Sequence, residues 1–141
     1  IDYAVSKGVN IIFVTNRTKA EEPSTRDNFR KLAYSVSDSP DHLLTKEEAE
    51  GWSSDKTSRR AHVAEHYRIL LVIGDDLNDF VAARGSADQR REAVMPHVSR
   101  FGIHWFLVSN PLYGYWERAL YDFGKDCSMI ASKRDALRGF R

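Results

Sequence analysis

Residues 69–80 read Ile-Leu-Leu-Val-Ile-Gly-Asp-Asp-Leu-Asn-Asp-Phe, an aliphatic run that stops at Gly74 and passes straight into carboxylates. Ile69–Ile73 has the length and β-branched content of a strand, and its lack of polar alternation is the pattern of a parallel strand covered on both faces. Runs of the same kind occur upstream at Val9–Thr15 and downstream at His104–Val108. Helical text lies between them. Ile1–Lys7 places Ile1, Ala4 and Val5 on one face, with Gly8 where a left-handed terminator is expected. Ser24 and Asp27 read as a capping box for a helix running to about Tyr34, with Phe29 and Leu32 on its apolar side. Residues 35–52 are polar and broken by Pro40 and Gly51, so they read as connection with a brief strand at Leu43 and Leu44. Asp55 caps a helix over Lys56–Tyr67. Ala87–Arg100 is helical with an interruption at Pro96, and Tyr115–Phe123 closes the chain. Helices alternating with buried strands predict an α/β three-layer sandwich with a mainly parallel sheet and right-handed crossovers, one domain over residues 1–141.

The composition fits that architecture. At 141 residues with 42% hydrophobic content, a domain buries roughly 68% of the surface its unfolded chain exposes, without help from disulfides or structural metal. Cys127 is the lone cysteine, which excludes an internal disulfide framework. A formal charge of +1 excludes the phosphate-seeking field of a nucleic-acid binder. The longest apolar run is too short to span a bilayer. No leader pattern precedes Ile1, and a chain opening on isoleucine is expected to be a fragment or a processed product.

In open α/β sheets the working groups sit just beyond the carboxyl ends of the strands. The first strand ends in Thr15-Asn16-Arg17, a hydroxyl and free backbone N–H groups suited to phosphate oxygens; the alternative is an ordinary polar turn. The central strand ends in Asp75, Asp76 and Asp79. Carboxylates gathered this closely repel unless a cation sits among them, and hard oxygen ligands suit Mg²⁺. Asp75 and Asp79, at i and i+4, converge on one ion if the segment turns helical; the alternative is a solvated acidic loop. Lys56 starts a helix whose dipole favours an anion, although a surface lysine would read the same way.

The order Val-Thr-Asn-Arg (14–17), Asp-Lys-Thr-Ser-Arg-Arg (55–60), Gly-Asp-Asp-Leu-Asn-Asp-Phe (74–80) and Ser-Asn-Pro-Leu-Tyr-Gly-Tyr-Trp-Glu (109–117) resembles the class C acid phosphatases of the haloacid dehalogenase (HAD) superfamily, subfamily IIIB, which include lipoprotein 5′-nucleotidases. The resemblance runs through nearly the whole chain. It implies a HAD-like Rossmannoid fold and a Mg²⁺-dependent phosphomonoesterase acting on a small phosphate monoester, with nucleoside monophosphates among the candidates. By that resemblance Thr15 is the phosphate-binding hydroxyl, with Asn16 beside it, Lys56 is the third-motif lysine, and Asp75 and Asp79 hold Mg²⁺ directly or through water. Tyr113 and Trp116 would lie near the leaving group, where aromatic faces stack on a nucleobase; core packing is the competing role for them. The family location is periplasmic, secreted or on an outer-membrane lipoprotein.

Two departures from the family pattern stand out. Asp76 occupies a position where the family usually has asparagine. The family nucleophile lies in an Asp-x-Asp motif on a strand preceding the helix with which this chain begins, and no Asp-x-Asp occurs in these residues. The first central strand is therefore expected to be missing, the domain to be incomplete at its N-terminal side, and the chain by itself to be inactive. Without that strand the flanking two must pair directly or leave edges open.

Two rival readings remain. One is a phosphate- or nucleotide-binding remnant that turns nothing over. The other rests on His62-Val63-Ala64-Glu65-His66, which fits the H-x-x-E-H pattern of zinc peptidases. A solvated helix face without catalytic zinc is the expectation there, since no third protein ligand beyond the motif is evident.

Overall fold

The computed structural model describes residues 1–34, 42–121 and 128–138. Pro40, Cys127 and the predicted helix end at Phe123 lie outside the described residues. The chain forms two compact units, Ile1–Tyr67 and Arg68–Arg141.

The first unit opens with helix α1 (Asp2–Ser6), terminated as expected by Gly8 at φ 74°. Strand β1 (Phe13–Thr18) pairs in parallel with β2 (Leu43–Lys46), matching Phe13 to Leu43 and Val14 to Leu44. The intervening helix α2 (Glu22–Lys31) supplies the crossover that parallel pairing requires. Phe13 packs on Phe29 of α2 with ring centroids 4.3 Å apart, while Leu43, Leu44 and Thr45 of β2 are buried. Helix α3 (Thr57–His66) ends the unit; its N-cap is Lys56, without a side-chain cap bond, and Asp55, the expected cap, lies one residue earlier and accepts the Thr57 N–H at 2.7 Å.

The predicted capping box at Ser24 and Asp27 is not formed. Thr18 and Glu21 make it instead, the Thr18 N–H and hydroxyl both donating to the Glu21 carboxylate at 2.8 Å. Those bonds hold the Glu21 carboxyl below its usual range, the backbone N–H first. Pro23 explains the shift, because proline fits the first helical turn and helix α2 has already begun when Ser24 is reached. Ser24 bonds back to the Glu21 carbonyl from inside the helix.

In the second unit β3 (Val72–Gly74) pairs in parallel with β4 (Trp105–Leu107), matching Val72 to Trp105 and Gly74 to Leu107. Helix α4 (Ala87–Val94) begins at a Ser86–Gln89 capping box and gives way to a 3₁₀ stretch, Met95–Arg100, at Pro96. Phe80 and Trp105 are buried and cluster with the half-buried Phe101, the Phe80 ring lying 5.3 Å from Phe101 and 5.5 Å from Trp105 between centroids. Helix α5 (Tyr115–Ala119) and helix α6 (Ser128–Arg138) complete the described residues. Helix α6 had no counterpart in the sequence reading. None of the described helices is long and apolar enough to cross a membrane.

The expected burial of the central strand is not observed. Leu71 is 55% and Ile73 67% exposed. The pairing accounts for this: among the described residues β3 is three residues long and has one partner strand, which leaves much of the aliphatic run uncovered. Among the described residues β1 likewise has one strand partner, and both sheets are two-stranded with unpaired edges.

Candidate functional site

The parallel register of β1 with β2 breaks between Val14 and Thr18, so Thr15, Asn16 and Arg17 sit where the strand is irregular. A bulge of this kind redirects side chains and frees backbone N–H groups. The Thr15 hydroxyl accepts the Arg17 N–H at 3.2 Å, which leaves its own hydrogen to donate. The Asn16 amide is engaged at both ends, donating to the Ser54 carbonyl at 3.1 Å and accepting from Arg59 at 2.6 Å. Lys56 is half-buried at the N-cap of α3.

Arg59, one turn further along α3, holds these pieces together. It is fully buried. Its guanidinium donates to the Thr15 carbonyl, to the Asn16 side chain and, at 2.8 Å, to the Ser53 carbonyl. The planar fork thereby fixes the β1 bulge against the loop that leads to Lys56. Sequence reasoning quoted Arg59 within its motif and gave it no role. The available signal was its spacing, three residues from Lys56 and so on the same helix face.

The second unit carries the acidic loop. The Asp79 carboxylate turns back to accept the N–H groups of Asp75 and Asp76 at 2.9 and 3.1 Å. A Cβ at Gly74 would lie 2.3 Å from that carboxylate, so only glycine permits the close approach. Asp75 is exposed and accepts the Asn110 amide at 2.6 Å. Asn110 in turn orders the 110–116 loop, accepting the Leu112 N–H at 3.2 Å through its side chain and the Trp116 indole N–H at 3.0 Å through its carbonyl. Tyr113 is 67% and Trp116 38% exposed, so neither is buried among the described residues. The donor set at Asp75 and Asp79, carboxylate oxygens on a polar loop, fits a hard divalent cation.

Asp76 serves a different purpose from its neighbours. One of its oxygens accepts the Asn78 N–H and side-chain amide at 2.9 and 2.6 Å and lies 3.6 Å from the buried Arg90 guanidinium. The other accepts the Tyr115 N–H at 2.9 Å, which ties the acidic loop to the start of α5. An asparagine offers one oxygen and places an NH₂ where the second acceptor was. Asp76→Asn is therefore expected to cost about 1–3 kcal/mol, by removing one acceptor from a part-buried charged network. Thermal unfolding measures this, and a variant as stable as the natural chain would show that the carboxylate is not the hub described.

Residues 1–116 match the family described as HAD superfamily, subfamily IIIB (acid phosphatase). The fold is that of HAD-like α/β proteins. The class C acid phosphatase of Bacillus anthracis is 30% identical, with a TM-score of 0.77 over 94% of this chain and 55% of that one. The same enzyme with tungstate bound gives 30% identity and a TM-score of 0.81 over 95% and 56% of the two chains. The chain belongs to the subfamily IIIB acid phosphatase family, and it spans a little over half the length of these solved relatives.

Proposed function

We propose that these residues form the greater part of one phosphatase domain, a Mg²⁺-dependent phosphomonoesterase working through an aspartyl-phosphate in the longer protein. The observation that carries the reading is the acidic loop, whose Asp75 and Asp79 flank a glycine-permitted turn and whose Asp75 and Asp76 are bonded to the aromatic loop. In this reading the Thr15 hydroxyl, the Asn16 N–H and the Lys56 ammonium bind the phosphate oxygens. Asp75 and Asp79 hold Mg²⁺, which when bound neutralises charge on the phosphoryl group. Tungstate in the Bacillus anthracis relative is a tetrahedral oxyanion like phosphate, which supports an oxyanion pocket here. The nucleophile comes from an Asp-x-Asp supplied upstream: its first aspartate attacks phosphorus, and its second protonates the leaving alcohol and later activates water. Tyr113 and Trp116, exposed beside Asn110, favour a leaving group with a flat face, and a nucleoside fits that description.

The test is a Mg²⁺ titration of phosphatase activity in the longer protein. Asp75→Asn and Asp79→Asn are each expected to raise the half-saturating Mg²⁺ by about 10–100-fold. Asparagine keeps one oxygen for the Asp75 and Asp76 N–H bonds, so the loop itself survives the Asp79 change. An unchanged Mg²⁺ requirement in both variants would remove the metal from the acidic loop. The absence of Asp-x-Asp from these residues favours one other reading, a non-catalytic phosphate-binding protein. A longer protein that also lacks the motif and binds phosphate without turnover would establish it.

A further inference from the structure

The H-x-x-E-H segment has no part in the phosphatase reading, and its geometry is specific. His62, Glu65 and His66 each present a ligand atom on the last turns of α3, and the three atoms lie within 4.8 Å of one another. Among the described residues no other group of His, Cys, Asp or Glu is gathered this closely. The two imidazole rings are 5.0 Å apart between centroids.

Both rings are oriented before any ion arrives. His66 Nδ1 lies 3.1 Å from the His62 carbonyl. A carbonyl only accepts, so Nδ1 carries the hydrogen and Nε2 keeps the lone pair. That is the tautomer in which metal-bound imidazoles are fixed by a backbone carbonyl. His62 is half-buried against Trp52, at 5.3 Å and 63° between rings, which limits its rotamers. The Trp52 carbonyl in turn accepts the Glu47 N–H at 2.8 Å, so the platform under His62 is itself anchored. The cluster also occupies the C-terminal end of a helix, where the dipole favours positive charge.

We propose that His62, Glu65 and His66 form a non-catalytic site for a divalent transition-metal ion of the Zn²⁺ type, with water completing its coordination. Two imidazoles and one carboxylate select a borderline-soft ion over Mg²⁺. Ligand atoms around a tetrahedral Zn²⁺ at about 2.0–2.1 Å lie roughly 3.4 Å apart, so side-chain torsions close the remaining gap without moving the helix. Because the same helix carries Arg59 one turn before His62, occupancy stiffens the element that secures the β1 bulge.

Calorimetric titration of the untagged, chelator-stripped 141-residue chain with Zn²⁺, repeated with Co²⁺ followed by its visible absorption, tests the site. One equivalent is expected to bind. His62→Ala and His66→Ala should each weaken binding at least about tenfold, while Asp75→Asn and Asp79→Asn should leave it unchanged. All three side chains are at least partly exposed, and circular dichroism confirms that each variant is folded. Failure to bind one equivalent overturns the proposal, as does binding that survives either histidine substitution or is lost in the aspartate variants.

Discussion

The 141-residue chain, purified and supplied with Mg²⁺, is expected to hydrolyse neither p-nitrophenyl phosphate nor nucleoside monophosphates. The reason is chemical rather than structural. Thr15, Asn16 and Lys56 are groups that bind and orient a phosphate, and Asp75 and Asp79 are groups that hold a cation. None of them is placed by the family pattern to attack phosphorus, and the sequence holds no Asp-x-Asp to do so. Removing a nucleophile from a covalent mechanism costs on the order of 10⁴–10⁶ in kcat even when every other group is present. Activity should therefore fall by at least about four orders of magnitude relative to a longer protein that contains the motif. Comparing the two proteins under saturating Mg²⁺ measures it. Mg²⁺-dependent turnover by the 141-residue chain, abolished by Thr15→Ala or Lys56→Ala, would show that one of its own side chains serves as nucleophile.

The parts of the molecule that sequence reading captured are those specified by neighbouring residues. Gly8 ends α1 because a positive φ is needed there, and Pro96 changes α4 into a 3₁₀ stretch because it lacks an N–H. The parallel pairing of the short strands follows from the helices inserted between them. What the sequence did not disclose depends on partners far along the chain. Ile69–Ile73 reads as buried from its composition, yet burial requires elements on both faces, and those are not specified by the run itself. The strand β1 begins at Phe13 rather than Val9 because it is paired only where β2 lies alongside it. By sequence Asp76 is a departure from the asparagine usual in the family, with no role of its own. Its function as an acceptor hub became visible only with Arg90 and Tyr115, 14 and 39 residues away, in place.

Arg59 shows the same limitation most plainly, and its replacement is expected to have the largest effect on stability. A guanidinium that is 0% exposed has no water to return to its partners when it is removed. Arg59→Ala leaves the Thr15 and Ser53 carbonyls and the Asn16 side chain without this donor and empties the space that the buried arginine stem filled. Hydrogen bonds from a charged donor contribute about 1.5–3 kcal/mol each and are not additive, so the loss should be about 3 kcal/mol or more. That is a large fraction of the roughly 5–15 kcal/mol that holds a typical domain folded. Lysine does not repair it, because an ammonium cannot reproduce the fixed fork that reaches three acceptors in two segments. Arg30 provides the control. Its ion pair with Asp27, at 2.6 Å, is exposed on both sides, and Arg30→Ala should change stability by less than about 0.5 kcal/mol. Urea unfolding of the three variants separates the two arginines. If Arg59→Lys unfolds at the same urea concentration as the natural chain, the fork is not what secures the β1 bulge to α3. If instead both Arg59 variants are strongly destabilised while Arg30→Ala is not, the candidate phosphate loop owes its shape to a residue that need touch no phosphate.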